Sequence, residues 1–458
     1  MVLIMKNLLF TITGIIAMSL CATTIEPGKI PEGFNPEKVE LRKRVESTPR
    51  GGLPNFYAKL EAGQDVTIAY FGGSITAQNG YRVHSQKFFQ EQYPNVKVNA
   101  IHAAIGGTGS NLGAYRLEHD VLKFKPDLVF VEFAVNDDGT PPIGIRRSME
   151  GIVRHIWHDL PNCDILFVYT LTASQIPHMQ PDVMQRSASV MEEIADYYAI
   201  PTIHMGVEII ELERAGKLIM KASNEGMTRV SGKELNLSAD NFVNADGKIP
   251  FARDGVHPYE NTGHILYLEA IKRSLPAIKA AGQKGPHANL PKPMVADCWE
   301  KVVTIPFDHP AVHITGPWRK DPHDDPVTRP FLNRADNFFS FDSGAEITFK
   351  YKGFNAAAYN IIGPQGGVVE VSIDGHKPYV SRQFDPYCTY HRLATMWLGN
   401  STNPDQIRTI TIKVTDQPID KRAILFDHNK PDFDKNPAKY EKLRFFAGCI
   451  FIVGEIVE

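Results

Sequence analysis

From Val66 onward the chain alternates short, almost continuously apolar runs with longer stretches in which apolar residues recur every three or four positions. The runs Val66–Tyr70, Val96–His102, Asp127–Phe133, Ile165–Thr170 and Ile200–Met205 are rich in Val, Ile and Phe and are bounded by Gly, Pro or Asn. That is the pattern of buried strands. Helical periodicity fills the gaps, over Arg82–Tyr93, Leu112–Phe124, Arg146–Leu160 and Val183–Tyr198, and again over Thr262–Ala281. Strands apolar on both faces, alternating with helices, predict a parallel sheet with helices on either side. Right-handed crossovers make it a doubly wound α/β/α sandwich.

Two segments interrupt this rhythm. Residues 211–250 are polar and irregular, and a long irregular insertion in a compact domain is usually functional or mobile. After Gln283 the composition shifts, and residues 283–294, with Pro286, Pro291 and Pro293, read as a linker. Beyond it the helical period disappears. Ala345–Lys352, Gly367–Ile373, Ile407–Val414 and Cys449–Val457 predict strands, and Asp374-Gly375 predicts a hairpin turn. The expectation is a catalytic α/β domain over residues 50–282 and a β-sandwich over 295–458.

The N-terminus has the layout of a secretory signal over residues 1–22: Lys6, an apolar run from Leu8 to Leu20, then Cys21 and Ala22. The run is short for a membrane span. The alternatives are lipidation of Cys21, although Leu20 stands where such signals prefer a small residue, and a buried N-terminal helix. The expected location is secreted or periplasmic, with membrane attachment only through Cys21. A length of 458 residues calls for two or three domains, and 43% hydrophobic with 22% charged residues fits a globular protein. A formal net charge of −3 argues against nucleic acid as the main partner. Cys163, Cys298, Cys388 and Cys449 are widely spaced without a CxxC pair, so they read as structural rather than zinc-binding.

Four motifs carry candidate chemistry. Phe71-Gly72-Gly73-Ser74-Ile75-Thr76 sits where the first strand ends and a helix is expected to begin. Glycine lets the chain turn sharply there, and a helix N-terminus favours developing negative charge. Ala104 to Asn111, with Gly106, Gly107 and Gly109, follows the second strand and frees backbone N–H groups to face a pocket. A dinucleotide loop would need an acidic residue at the end of the next strand. That strand instead runs into Phe133-Ala134-Val135-Asn136-Asp137. Asn136 can donate a hydrogen bond into the same crevice, and the Asn-Asp-Asp-Gly run is also a good turn. Last, Asp254-Gly255-Val256-His257-Pro258 puts a carboxylate within reach of an imidazole Nδ1, leaving Nε2 as a base. Each motif alone is compatible with an ordinary turn. Together, three lie at the carboxyl ends of successive strands, where open α/β sheets bind ligands.

The ordered set Ser74, Gly107, Asn136 and Asp254-x-x-His257 resembles the four blocks of the SGNH (GDSL-like) hydrolase superfamily over roughly residues 50–282. The resemblance implies a flavodoxin-like α/β/α sandwich. It implies Ser74 as nucleophile, His257 as base and Asp254 as its orienting partner. Ser74, Gly107 and Asn136 would form the oxyanion hole, with Gly106 as the alternative glycine. No metal or organic cofactor is implied. Three positions depart from the family pattern: Gly73 replaces an Asp, Ala134 a Gly, and His102 an Asn. The Gly-Gly-Ser block is more similar to carbohydrate esterases than to lipases. The expected substrate is therefore an esterified oligo- or polysaccharide, with O-acetyl as the leading acyl group. A lipid or aryl esterase, or a glycan-binding protein with a vestigial site, are the competing readings. Arg82, His84, Arg253, Tyr259 and His264 are secondary pocket candidates, and Trp318 and Trp397 are candidates for stacking on sugars.

Overall fold

A computed structural model of the chain describes residues 25–179, 182–223 and 246–458. The expected signal, with Cys21, lies outside the described residues, as does the 224–245 part of the insertion. Among the described residues no helix is long and apolar enough to cross a membrane.

The first half contains β1 (Ser47–Thr48), α1 (Pro54–Glu61), β2 (Val66–Gly72), α2 (Ser74–Ala77), α3 (Tyr81–Gln92), β3 (Val98–His102), α4 (Ser110–Asp120), β4 (Leu128–Glu132), α5 (Pro142–Asp159), β5 (Asp164–Tyr169), α6 (Ile176–Met179), α7 (Arg186–Tyr197), β6 (Thr202–His204), α8 (Val207–Arg214), β7 (Leu218–Lys221), β8 (Ile249–Ala252) and α9 (Gly263–Lys279). Strands β3, β2, β4, β5 and β6 lie side by side in that order, all parallel. This is the flavodoxin-like order, with β2 and β4 flanking the point where the winding reverses. The two-residue β1 adds an antiparallel edge on β6, too short to show as a pattern in sequence.

Alternation along the central strands explains the layers. Ala69, Phe71, Val129 and Val131 face one core, with Leu117, Met149 and Ile194 from α4, α5 and α7. Ile68, Tyr70, Leu128 and Phe130 face the other, with Phe56, Phe89 and Ile271 from α1, α3 and α9. The period of two thus shows as two buried faces rather than one wet and one dry.

The second half is antiparallel: β9 (Val302–Pro306), β10 (Val312–Thr315), β11 (Trp318–Lys320), β12 (Phe339–Asp342), β13 (Glu346–Ile362), β14 (Val368–Ile373), β15 (Tyr379–Arg382), β16 (Arg392–Asn400), β17 (Ile407–Thr415) and β18 (Arg444–Val457). The strands are joined into one hydrogen-bonded network. The long β13 changes neighbours along its length: Glu346–Phe349 pairs with β10 and β17, whereas Asn355–Ile361 pairs with β16 and β18. The sheet so formed encloses a core that includes Phe307, Phe349, Val371, Ile410 and Phe445.

The segment 283–294 is not a free tether. His287 stacks on Trp157 with ring centroids 4.3 Å apart. The Pro291 carbonyl accepts from Arg154 at 2.7 Å, and the Lys292 carbonyl accepts from Tyr197 Oη at 2.7 Å. Beyond it, Tyr115 on α4 lies between Trp299 and Phe451, with centroids at 5.1 and 5.0 Å, and donates to Asn355 Oδ1 at 2.5 Å. One core cluster therefore runs from Phe71 and Val131 to Tyr359, Phe451 and Val453. The four cysteines from Cys163 onward are buried and free.

Candidate active site

Strand β2 delivers Phe71 and Gly72 to the reversal point of the sheet, and the chain turns at Gly73. The expected helix at Ser74 is a single turn; the long helix α3 starts only at Tyr81. A macrodipole needs several aligned peptides, so little of it acts at Ser74. The structure brings Ser74, His257 and Asp254 into one hydrogen-bonded line. Ser74 Oγ lies 2.8 Å from His257 Nε2, and His257 Nδ1 lies 2.7 Å from Asp254 Oδ2. The ionised carboxylate must accept from Nδ1–H, so Nε2 is the acceptor for the serine hydroxyl.

The Asp254–His257 turn is held from both sides. Asp254 Oδ1 accepts the Val256 and His257 N–H groups, both at 2.8 Å. Gly255 has φ +79, open to glycine and strained for other residues. Its carbonyl accepts from Ala173 N at 2.8 Å, which pins the turn to the loop after β5. Gln78 Nε2 donates to the Pro258 carbonyl at 3.2 Å, tying the turn to the segment carrying Ser74. Partial burial raises the Asp254 carboxyl pKa, but hydrogen bonds from the His257 ring, its backbone N–H and Val256 outweigh it and hold the carboxyl at about 2.

Asn136 and Gly106, the alternative oxyanion glycine, both lie beside the Ser74 turn. Gly106 and Gly107 follow β3. A Cβ on Gly106 would lie 3.6 Å from Ser74 Cβ, whereas Gly107 faces open space with φ +72. Asn136 lies beyond the end of β4, and its side chain packs against Gly73. A Cβ at position 73 would fall well inside contact with the Asn136 amide. The missing Asp of the family pattern is thereby explained: Asn136 occupies the space that any side chain at Gly73 would need.

Residues that the sequence reading did not single out hold the strand ends. Arg116, fully buried, donates to the Gly72 carbonyl at 3.1 Å and to the Ala103 carbonyl, and pairs with Asp120 at 2.7 Å. Its guanidinium also lies over the Phe71 ring, 4.5 Å from the centroid. Asp137 caps α4, accepting the Ser110 N–H at 3.0 Å, and burial raises its carboxyl to about 6. Glu132 is also buried here. Its signal was visible, since a lone acid ends the apolar run of β4.

The secondary candidates divide. His264 is fully buried; its Nδ1 accepts from Tyr81 N at 3.1 Å and its Nε2 meets Gln78 Oε1 at 3.2 Å. Burial, with the nearby His84, Arg82 and His257, lowers its pKa to about 3, so it is a neutral structural histidine. His84 is likewise buried, and burial lowers it to about 4. Arg82 donates to the Thr76 carbonyl at 3.2 Å, and Tyr259 Oη to the Ala222 carbonyl at 2.8 Å, while Arg253 is exposed. Trp318 and Trp397 are both partly exposed, the latter with its ring 6.4 Å from Trp299.

Residues 70–258 match the model of the GDSL-like Lipase/Acylhydrolase family. No curated protein sequence matches the chain at a significant level. Two crystal structures of a two-domain esterase (CEX) active on acetylated mannans are similar to nearly the whole chain, one of them co-crystallised with mannopentaose. Their TM-scores are 0.65 and 0.66 at 20% and 19% identity, over 90% of this chain and 97% and 98% of theirs. At that identity the likeness shows a shared fold, an α/β domain followed by a large antiparallel β domain. The part of the chain that carries Ser74, Asn136, Asp254 and His257 is thus the part that is similar to the GDSL-like Lipase/Acylhydrolase family.

Proposed function

We propose that the protein is an exported serine esterase that removes O-acetyl groups from a carbohydrate through an acyl-enzyme on Ser74. The observation that carries this reading is the unbroken line Ser74 Oγ–His257 Nε2, His257 Nδ1–Asp254 Oδ2, at 2.8 and 2.7 Å. His257 takes the Ser74 proton as Oγ attacks the ester carbonyl. The same imidazole, now protonated, gives that proton to the sugar oxygen as the ester C–O bond breaks, and the sugar leaves with a free hydroxyl. Water then enters, His257 accepts its proton, and acetate leaves as Ser74 Oγ recovers a proton. The Ser74 and Gly107 N–H groups and the Asn136 amide hold the oxyanion; each such donor contributes about 10²–10³ in rate.

The substrate class rests on the Gly-Gly-Ser block, on the appended β domain, and on the mannan-active esterase that shares the two-domain fold. Side-chain exposures of 40% for His257 and 51% for Asp254 leave the site open, as a chain-like substrate requires. Export rests on the signal-like layout of residues 1–22, with Cys21 as a lipidation site if the protein is membrane-anchored. Incubation with a panel of esterified polysaccharides, assaying acetate, methanol and longer acids, tests the reading. Acetate release by wild type and none by Ser74→Ala supports it; methanol release or acetate-independent turnover would redirect it to another ester.

A further inference from the structure

Glu132 ends β4 directly opposite Gly72, at the reversal point of the sheet, and is 1% exposed. A buried carboxylate needs donors or a countercharge. Its partners here are hydroxyls and an amide rather than a cation. Thr76 Oγ1 donates to Oε2 at 2.8 Å, and Thr170 Oγ1, from the end of β5, donates to Oε1 at 2.7 Å. The Gly73 N–H also hydrogen-bonds the carboxylate. Thr76 has a single proton, committed to Glu132, so Tyr81 Oη must donate to Thr76 Oγ1, 2.6 Å away. Burial raises the Glu132 carboxyl pKa, and the bonds from Thr170, Thr76 and Gly73 act against that rise.

Two of these donors flank Ser74 in sequence: Gly73 immediately before it and Thr76 two residues after. We propose that Glu132 is a positioning residue that fixes the Ser74 turn in its attack geometry by accepting hydrogen bonds from both shoulders of that turn. The proposal rests on the reading of Ser74 as nucleophile. Glutamate suits the task and glutamine does not. The carboxylate accepts on both oxygens, whereas an amide would aim its NH2 at donors already pointing inward. In the family pattern the residue before the serine carries a carboxylate; in this chain the carboxylate near that turn comes from the neighbouring strand.

The test compares wild type, Glu132→Gln, Thr76→Val and Thr76→Ser on p-nitrophenyl acetate, with fluorophosphonate labelling rates and circular dichroism of each. A nucleophile displaced by about 1 Å can lose about 10²-fold in rate. The expected result is a kcat drop of roughly 10- to 10²-fold in Glu132→Gln and Thr76→Val, a KM within about twofold of wild type, and labelling slowed in parallel. Thr76→Ser, which keeps the hydroxyl, recovers most of the rate. A folded Glu132→Gln with wild-type kcat and labelling overturns the proposal. Should Glu132→Gln fail to fold, equal kcat values for Thr76→Val and Thr76→Ser overturn it instead. A wild-type protein that neither labels nor hydrolyses the ester overturns the reading of Ser74, and this inference with it.

Discussion

Asn136 packs against the bare Cα of Gly73, in space that no side chain at that position could share. The relationship joins the residue before the candidate nucleophile to a candidate oxyanion donor beyond the end of the neighbouring strand, across the point where the sheet reverses its winding.

The contact makes an unusual prediction about the family's own pattern. Gly73→Asp restores the commoner Gly-Asp-Ser block, yet it should impair this enzyme. Displacing Asn136 forfeits one oxyanion donor, a loss of about 10²–10³ in kcat. Gly73→Ala, with a single methyl, should lose rate in the same direction. Steady-state kinetics of both variants check this; a Gly73→Asp enzyme at wild-type kcat would remove the steric account.

Asn136→Ala should lower kcat by about 10²–10³ and leave KM close to wild type, because an oxyanion donor acts on the transition state rather than on the bound ester. A variant that changes KM alone would make Asn136 a binding residue instead.

Burial is the largest single influence on the Asp254 carboxyl and raises it, but the His257 ring, its backbone N–H and the Val256 N–H together outweigh burial and hold the carboxyl at about 2, below an ordinary 3.8. A depressed carboxyl contributes stability that is complete above its unfolded value and is lost as pH falls through the folded one. That contribution should therefore disappear between about pH 4 and pH 2. Asp254→Asn should flatten this acid loss of stability, followed by thermal melts across pH. It should also lower kcat severely, by as much as about 10⁴, because the amide no longer fixes the tautomer that leaves Nε2 free.

Tyr115, sandwiched between Trp299 and Phe451, joins the two halves through a common core. Tyr115→Ala should cost roughly 3–5 kcal/mol, as large aromatic truncations in cores do. Urea unfolding of wild type should show one cooperative transition rather than two. Two well-separated transitions would mean that the halves fold independently.

Much of the α/β part was legible because the signals were local. Continuous apolar runs mark strands buried on both faces, and the glycine-rich motifs fall where those strands end. The dependence of Gly73 on Asn136 was not legible, since the partner arrives from the loop after another strand and only the fold sets the distance. Glu132 is an acid in an apolar run, a signal the sequence reading passed over, and its meaning lies in Thr76, Tyr81 and Thr170, which come from α2, α3 and the residue just beyond β5. The segment 283–294 has the composition of a linker, yet backbone carbonyls such as Pro291 O and Lys292 O anchor it, and no side-chain pattern announces them. The ten-stranded sheet was visible as strands but not as one sheet, because β13 changes partners midway.

The central claim is that Ser74 Oγ is the nucleophile. Labelling with a fluorophosphonate probe, followed by peptide mass mapping of wild type and Ser74→Ala, tests it most directly. The account predicts a single adduct on Ser74 in wild type and no adduct in Ser74→Ala. Undiminished labelling of Ser74→Ala, or an adduct mapped to another residue, would contradict it.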